Sequence, residues 1–290
     1  MPPFHLVDVF ARERYAGNQL AVVESRGALD ASEMQAIAAE MGFSETTFVE
    51  SADASGSRVR IFTPTDEIPF AGHPTLGTAH VIRERLLDER PDEVVLDLDV
   101  GDVPVDVRDV DGEETLWMRQ QAPEFGEALA RDDLAAVLGL GTRSLDGNFP
   151  VQIVSTGLPT VVVPLASRAA LTDIELDMDA YERVTGGRKA KNVLAFCADP
   201  RDEANDLAVR VFAPGLGVFE DPATGSSNGC LAAYLARHAY LGSGSVSVRV
   251  EQGYELGRPS LVHLDALDRG DEVTVEVGGR VVDVARGELL

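Results

Sequence analysis

Two stretches of the sequence decide the fold: RIFTPTDEIPFAGHPTLG at residues 60–77 and RVFAPGLGVFEDPATGSSNG at residues 210–229. Each reads as a strand, a short loop, a Pro-containing turn and the start of an apolar helix. When the two stretches are aligned, His73 falls opposite Asp221. This self-similarity predicts two related domains that face each other across a cleft and bring both helix starts to one place. Because strand-turn-helix units are common, an accidental echo is the alternative interpretation.

The hydrophobic pattern around these stretches predicts many strands and few helices, and therefore an α+β fold. Apolar residues recur at helical spacing in ASEMQAIAAEMG at 31–42, and helices are also predicted over about 74–87 and 225–240. Arg60 and Arg210 occupy matching strand positions, where they are expected to tie each strand to the loop that follows it. Strands are predicted near residues 4–9, 19–24, 45–50, 57–63, 93–100, 103–107, 115–120, 149–155, 160–165, 191–198, 207–214, 245–253, 260–267, 272–277 and 280–285.

The charge balance excludes several classes of partner. The chain carries 25 Lys and Arg against 49 Asp and Glu, which gives a formal net charge of −24 and a pI near 4.4. Nucleic acids and anionic membranes need a positive surface on the protein, so neither is an expected partner. The acidic residues are spread along the chain, and the only lysines are Lys189 and Lys191. This pattern is typical of a cytoplasm of very high salt, and an acidic mesophilic enzyme is the alternative.

The salt hypothesis makes a direct prediction about stability. If the surface depends on salt to screen its self-repulsion, the melting temperature should rise between dilute buffer and concentrated KCl. Equal thermal stability in the two solutions would reject the hypothesis.

Cysteine usage and hydropathy indicate the compartment. The chain of 290 residues has only two cysteines, Cys197 and Cys230, which is too few for a framework of disulfide bonds. This favours a reducing compartment inside the cell. The N-terminal MPPFHLVDVF has no basic region before a long apolar run, and no stretch approaches the roughly 20 apolar residues of a membrane-spanning helix. We therefore expect a soluble, cytoplasmic protein. With no Gly-rich dinucleotide fingerprint, P-loop or zinc-spaced Cys/His cluster in the sequence, neither a cofactor nor a metal is expected.

Several motifs together resemble one known family. GFSETTFVE at 42–50, RIFTPTDEIPFAGHPTLGTAHV at 60–81, VRVFAPGLGVFEDPATGSSNGCLAAYL at 209–235 and EQGYELGRPS at 251–260 resemble the PhzF-like, or phenazine biosynthesis-like, family in order and spacing. The resemblance implies the diaminopimelate epimerase-like fold. In that fold two pseudo-symmetric domains, each a curved, mostly antiparallel sheet around a central helix, hold the active site in the cleft between them. We expect residues 1–118 with about 279–290 to form the first domain and 119–278 to form the second.

The same resemblance implies a chemistry. Family members carry out cofactor-free isomerisation by moving a proton between carbons, and a homodimer is the expected assembly. Carried over residue by residue, Glu45 is the acid/base, with His73 and Asp221 as its polar partners. Gly72 and Ser226 fall at matching substrate-contact positions. Asn18 is also carried over as a substrate contact, although the chain reads Gly-Asn-Gln where the family usually reads Gly-Asn-Pro.

The residues around Glu45 can be interpreted on their own. In a strand, Phe43, Glu45 and Thr47 would share one face. If that face is apolar and shielded, burial would raise the pKa of Glu45 toward the working pH, which suits a group that both takes and returns a proton. The alternative is that Glu45 is simply one of 49 solvated acidic residues.

The helix starts indicate an anion site. Thr224, Gly225 and Ser226 offer hydroxyl and backbone N–H groups at the start of a helix, an arrangement that holds a carboxylate, so the expected ligand is a small anionic metabolite. His73 and Asp221 could instead be ordinary helix caps.

Gln252 and Gly253 lie between two strands late in the second domain. The resemblance makes this loop part of the cleft lining and both residues candidate substrate contacts. The alternative is a hairpin turn in which Gly253 adopts a positive φ.

Two other functions remain open on this fold. A racemase or epimerase of the two-thiol type would need one cysteine from each domain, but no Cys lies near His73, and Cys230 falls inside the second helix, where a buried structural thiol is expected. A non-catalytic protein that binds small acids would keep the cleft without turnover.

Overall fold

The computed structural model describes residues 1–53 and 56–290 of the chain. These residues form two compact units: unit 1 is Met1–Arg119 with Gly278–Leu290, and unit 2 is Gln120–Val277. Strands dominate both units, and the helices are few and short, which confirms the predicted α+β class. Within the described residues, no helix is both long and apolar enough to cross a membrane.

Unit 1 begins with eight strands and two helices: β1 (Pro3–Val9), β2 (Asn18–Glu24), α1 (Ala31–Met41), β3 (Thr46–Val49), β4 (Ser57–Phe62), β5 (Glu67–Ile68), α2 (Gly72–Val81), β6 (Glu93–Leu98), β7 (Gly101–Val110) and β8 (Glu113–Arg119). A π-helical turn, Ile82–Leu86, continues α2.

Unit 2 contains eight strands and four helices before the chain returns to unit 1: β9 (Glu124–Leu129), α3 (Arg131–Val137), β10 (Val151–Ser155), β11 (Pro159–Pro164), α4 (Arg168–Thr172), α5 (Met178–Thr185), β12 (Asn192–Cys197), β13 (Leu207–Ala213), β14 (Val218–Asp221), α6 (Gly225–Arg237), β15 (Ser245–Gln252) and β16 (Ser260–Asp268). β17 (Val273–Gly279) leads along the chain to β18 (Val281–Glu288), which belongs to unit 1. Short 3₁₀ turns occur at Thr142–Ser144, Pro214–Leu216 and Tyr254–Leu256.

Unit 1 is a sheet built around α2. Its strands pair antiparallel except for two parallel pairs, β2 with β3 and β4 with β6. Helix α2 has no Asp, Glu, Lys or Arg, is buried almost throughout, and packs against β1, β2, β3 and β6. Gly77 permits this approach, because a Cβ there would lie 2.6 Å from Leu20 Cδ2 and 2.8 Å from Val9 Cγ2.

The two faces of β3 contact different helices. Thr47 shares a hydroxyl hydrogen bond of 2.7 Å with Thr78 of α2. Phe48, on the other face, packs in a cluster with Met34 and Ala38 of α1. Helix α1 begins with a capping box in which Asp30 accepts from backbone N–H groups of the first turn. Alternation along β3 therefore decides which side chains reach the central helix.

Unit 2 repeats the strand order of unit 1. β9, β10 and β11 pair antiparallel, β11 pairs parallel with β12, and β13 pairs antiparallel with β12 and β14 and parallel with β15. Helix α6 takes the place of α2 and packs against β10, β11, β15 and β16. The sequence repeat is therefore structural, and the interpretation as an accidental echo is wrong.

Matching arginines close the same loop in both units. Arg60 donates through Nε and Nη2 to Glu67 at 2.6 and 2.7 Å, which ties β4 to β5. Arg210 donates in the same two-pronged way to Glu220 at 2.8 and 2.8 Å, which ties β13 to β14. This pairing confirms the predicted strand-to-loop role.

Several elements differ from the sequence prediction. The helix predicted over about 74–87 begins two residues earlier as α2 and ends in a π-helical turn. The pattern did not predict β9, α3, α4 or α5. These helices are short, at seven, five and eight residues, so their apolar positions never complete a clear period. Caps at Ser167 and Asp177 were the available signal for α4 and α5.

Candidate functional site

Glu45 and His73 meet inside unit 1. Glu45 directly precedes β3, and His73 lies in the first turn of α2. Because Thr47 contacts Thr78 of α2, and side chains two positions apart on an extended chain point to the same side, Glu45 is aimed at the same helix. Glu45 Oε2 lies 3.5 Å from His73 Nε2, and the two side chains are 19% and 7% exposed. The structure thus brings two predicted site residues together in a shielded position.

His73 is a neutral imidazole whose proton is placed by the backbone. Its Nε2 lies 3.3 Å from the carbonyl oxygen of Gln19. Since a carbonyl only accepts hydrogen bonds, Nε2 carries the hydrogen. Burial lowers the pKa of His73 to about 4, so at neutral pH its contact with Glu45 is not an ion pair. The Glu45 carboxyl can therefore gain or lose a proton without breaking a salt bridge to His73.

The buried imidazole should make stability depend on pH. The unfolded state binds a proton at His73 near pH 6.5, whereas the folded state resists it until about pH 4. The contribution of His73 to stability is therefore complete above pH 6.5 and is lost as the pH falls toward 4, by roughly 3 kcal/mol in total. Urea denaturation of wild type and His73→Gln across this range should show a shallower pH dependence for the variant. Parallel curves would contradict a neutral, buried His73.

The strand prediction around Glu45 needs a correction. β3 begins at Thr46, and Phe43 and Ser44 lie in a bend after α1, whose C-cap is Gly42 with φ 67°. Phe43 is therefore not a strand neighbour on the Glu45 face, as the alternation predicted. The left-handed glycine ends the helix, and the chain needs the next residues to turn into the strand.

The remaining predicted residues of unit 1 flank this pair. Asn18 is the first residue of β2, is 3% exposed, and immediately precedes Gln19, whose carbonyl accepts from His73. Gly72 is buried as the first residue of α2. Neither His73 nor any other side chain caps α2, whose N-cap is Ala71, so the capping interpretation of His73 is wrong.

Asp221 and Thr224 meet in unit 2. Asp221 is the last residue of β14, and Thr224 is the N-cap of α6. The capping interpretation of Asp221 is therefore wrong as well. The Thr224 hydroxyl donates to Asp221 Oδ2, so the two side chains form one hydrogen-bonded pair. Gly225 and Ser226 are the first two residues of α6.

Gln252 joins this pair from the end of β15. It is 1% exposed, and its Nε2 donates to the carbonyl of Asp221 at 2.8 Å and to Thr224 Oγ1 at 3.1 Å. Its Oε1 accepts from Thr224 N at 3.2 Å and from Asn228 Nδ2 at 2.8 Å. Both polar atoms of the amide are thus bonded within unit 2.

Gly253 follows with φ 79°, as the hairpin interpretation requires. A Cβ at this position would fall on the carbonyl oxygens of Arg258 and Pro222, within 2.5 Å of the latter. The backbone of Gly253 therefore approaches the turn after Asp221 more closely than any other residue type would permit.

Replacing Gly253 tests this close approach against a matched glycine. Gly257 also has a positive φ, of 67°, but nothing lies within 4 Å of its Cβ position. Gly257→Ala should cost about 1 kcal/mol of unfolding free energy for the left-handed backbone alone. Gly253→Ala should cost about 1–3 kcal/mol more, because backbone atoms must move. Equal losses in urea denaturation would show that the contact with Pro222 does not matter.

Both cysteines belong to unit 2 and neither is activated. Cys230 is buried in α6, where its Sγ lies 3.5 Å from the carbonyl of Leu158 and burial raises its pKa. Burial also raises the pKa of Cys197 to about 11. This confirms Cys230 as a buried structural thiol and leaves unit 1 without a thiol partner. Across residues 1–53 and 56–290, no group of three His, Cys, Asp or Glu side chains could hold a metal ion.

Four residues of these networks escaped sequence reasoning: Gln19, Thr78, Asn228 and Ser260. Each acts through a hydrogen bond to a residue far away in sequence, and Gln19 acts through its backbone carbonyl, which no side-chain pattern reveals. Asn228 and Ser260 lie within the motifs 209–235 and 251–260, so their position was the only available signal.

Comparisons with known proteins agree with this architecture. The family model described as phenazine biosynthesis-like protein, PhzC-PhzF, matches residues 7–287. A trans-2,3-dihydro-3-hydroxyanthranilate isomerase from Pseudomonas chlororaphis is 35% identical, with 100% of each chain covered. A PhzF-family phenazine biosynthesis protein from Bacillus anthracis has a TM-score of 0.92 at 29% identity and covers 100% of this chain and 99% of its own.

A more distant structure extends the fold class. A probable proline racemase from Agrobacterium radiobacter has a TM-score of 0.61 at 10% identity, with 100% of this chain and 93% of that chain covered, which is a likeness of fold alone. The diaminopimelate epimerase-like class predicted from the motifs is thereby confirmed. The chain belongs to the phenazine biosynthesis-like (PhzC-PhzF) family, and it is an isomerase of that family.

Proposed function

We propose that this isomerase shifts a proton between two carbons of a small carboxylate substrate, with the carboxyl of Glu45 as the acid/base and without a cofactor. Glu45 takes a proton from one carbon, and the bonding electrons move into the adjacent unsaturated system. The protonated carboxyl, whose O–H exchanges with solvent, then delivers a proton to a second carbon of the same molecule. Nothing is added or removed, so substrate and product are isomers.

One observation carries this proposal: Glu45 Oε2 lies 3.5 Å from Nε2 of a neutral, buried His73. A proton carrier must be stable in both of its protonation states. A cationic neighbour would favour the carboxylate over the acid, whereas a neutral imidazole places no net charge beside it. His73 is therefore proposed to orient Glu45 or the substrate rather than to supply charge.

The substrate class follows from the helix starts and from the relatives. Thr224, Gly225 and Ser226 begin α6, where the helix dipole and backbone N–H groups favour a carboxylate. Asp221 is proposed as a second polar partner of the substrate. The Pseudomonas chlororaphis relative is named for trans-2,3-dihydro-3-hydroxyanthranilate. We propose that compound, or a cyclic amino or hydroxy acid like it, as the substrate of this chain.

Product analysis tests the proposal. Purified protein in concentrated KCl is incubated with trans-2,3-dihydro-3-hydroxyanthranilate and a panel of small amino and hydroxy acids, and products are identified by NMR. A product of unchanged mass with a relocated double bond is the expected result. Binding in a calorimeter without any product would instead support the small-acid-binding alternative.

A further inference from the structure

We infer that Gln252 is a positioning residue that sets the Asp221 carboxylate through the hydroxyl of Thr224; the inference rests on the proposed role of Asp221 in the isomerase reaction. Three residues at the loop end of the hairpin formed by β15 and β16 make up what we call the hairpin clamp: Gln252, Gly253 and Ser260. The hairpin clamp contacts the turn from Asp221 to Thr224.

The orientation of the Gln252 amide is fixed by its partners. Asp221 offers a carbonyl, which only accepts, so the atom 2.8 Å away must be the NH₂ group. On the other side, Thr224 offers its backbone N–H at 3.2 Å, so the atom facing it must be the amide oxygen. No exchange of the two ends would satisfy both contacts.

This orientation determines where the Thr224 proton points. Gln252 Nε2 donates to Thr224 Oγ1 at 3.1 Å and so occupies a lone pair of that hydroxyl. The Thr224 hydroxyl hydrogen is then free for the carboxylate oxygen Oδ2 of Asp221. The three groups form a chain of donors that runs from Gln252 through Thr224 to Asp221, and consecutive hydrogen bonds of this kind strengthen one another.

The rest of the clamp holds the backbone under this chain. Ser260, the cross-strand partner of Gln252, donates from Oγ to the carbonyl of Pro222 at 2.8 Å. Gly253 brings the hairpin backbone against the same residue. Gln252 and Ser260 are 1% and 3% exposed, so water does not replace these bonds at low cost. Position 252 therefore needs a side chain with both a hydrogen-bond donor and an acceptor. Glu, Met and Leu lack this combination at neutral pH.

The test uses variants that each remove one hydrogen bond of the series from Gln252 through Thr224 to Asp221. Gln252→Glu keeps the shape but replaces the donor, and Thr224→Val keeps the shape but removes the hydroxyl. Thr224→Ser restores the hydroxyl. Gln152→Glu is the matched control, because the substitution adds the same charge. The amide of Gln152 also makes hydrogen bonds within unit 2, to Gly126 and His238.

The first readout is turnover of trans-2,3-dihydro-3-hydroxyanthranilate. Gln252→Glu and Thr224→Val should each lower kcat roughly 10- to 100-fold, as expected for a displaced polar group. Thr224→Ser should recover most of the kcat that Thr224→Val loses, and Gln152→Glu should stay near wild type. The double variant should lose no more kcat than the more damaging single variant, because both changes interrupt the same series of hydrogen bonds. Multiplying losses, or a failure of Thr224→Ser to rescue, would overturn the inference.

The second readout needs no substrate. In protein labelled with ¹³C at Asp carboxyls, the Asp221 resonance is the one missing from Asp221→Asn. The chemical shift of this resonance should change in Gln252→Glu and Thr224→Val and should stay the same in Gln152→Glu. If wild type does not turn over the compound, the substrate proposal fails while this measurement still decides the inference. If Gln252→Glu does not fold, an unmoved Asp221 resonance in Thr224→Val alone contradicts it.

Discussion

Replacing Glu45 with Gln is expected to lower turnover by about 10²–10⁴-fold, the usual contribution of a positioned acid/base group. The amide has nearly the shape of the carboxyl, so it can still sit 3.5 Å from His73 Nε2. It cannot accept a proton from carbon at neutral pH. Affinity for the substrate, measured by calorimetry, should therefore survive while kcat falls.

The control for this variant is Glu40→Gln. Glu40 is exposed near the end of α1, so the same chemical change there should leave kcat within about twofold of wild type, as for other surface substitutions. Equal losses in the two variants would point to net charge rather than to the Glu45 site. Unchanged turnover in Glu45→Gln would remove Glu45 from the mechanism.

Replacing Arg210 with Met is expected to cost about 3–5 kcal/mol of unfolding free energy, because it leaves the Glu220 carboxylate buried without its ion-pair partner. The two side chains are only 9% and 8% exposed. Arg210 also donates to the carbonyls of Leu171 and Ile174 at 3.1 and 3.3 Å, so the variant leaves these acceptors without this donor too. Urea denaturation of the full chain measures the loss.

The internal repeat supplies the matched control. Arg60 makes the same two-pronged contact with Glu67, but these side chains are 20% and 31% exposed. Arg60→Met should therefore cost no more than about 1 kcal/mol, the value typical of ion pairs that water can screen. If both variants lost the same free energy, burial would not be what gives the Arg210 pair its larger effect.

Much of the fold can be predicted from the sequence because the two halves repeat each other. The stretches 60–77 and 210–229 carry matching arginines, turns and helix starts, and both fold as strand, loop, strand and central helix. Helix α3 has no counterpart in unit 1, and α4 and α5 lie between the parallel strands β11 and β12, where unit 1 has α1 between β2 and β3. All three helices are too short to show a clear period, and none lies in the two repeated stretches. Their apolar residues instead form a core cluster with unit 2 strands.

The candidate site could be predicted less completely. Motif resemblance pointed to Glu45 and His73, and alternation alone would have given Glu45 the wrong neighbour in Phe43. The contact of His73 with the Gln19 carbonyl joins residues 54 apart through a backbone atom. Such a contact depends on how α2 lies on β2, which no local pattern encodes.

In unit 2 the sequence indicated a loop but not the hydrogen bonds that its residues make. Gln252 and Gly253 were predicted from the EQGYELGRPS motif as substrate contacts. The structure bonds the Gln252 amide to Asp221, Thr224 and Asn228, which are 24–31 residues away in sequence. That both residues contact substrate stays a prediction, and the hydrogen bonds of Gln252 are the basis for its proposed role in holding Asp221.

Hydrogen exchange at carbon is the decisive test of Glu45 as the acid/base. Wild type and Glu45→Gln are incubated side by side in D₂O and concentrated KCl with trans-2,3-dihydro-3-hydroxyanthranilate, and deuterium at each carbon is followed by NMR and mass spectrometry. Carboxyl acid/base catalysis by Glu45 predicts that wild type introduces deuterium at the carbon that gains a proton and that Glu45→Gln, although it binds the compound, does not. Equal deuterium incorporation by the two proteins would contradict it.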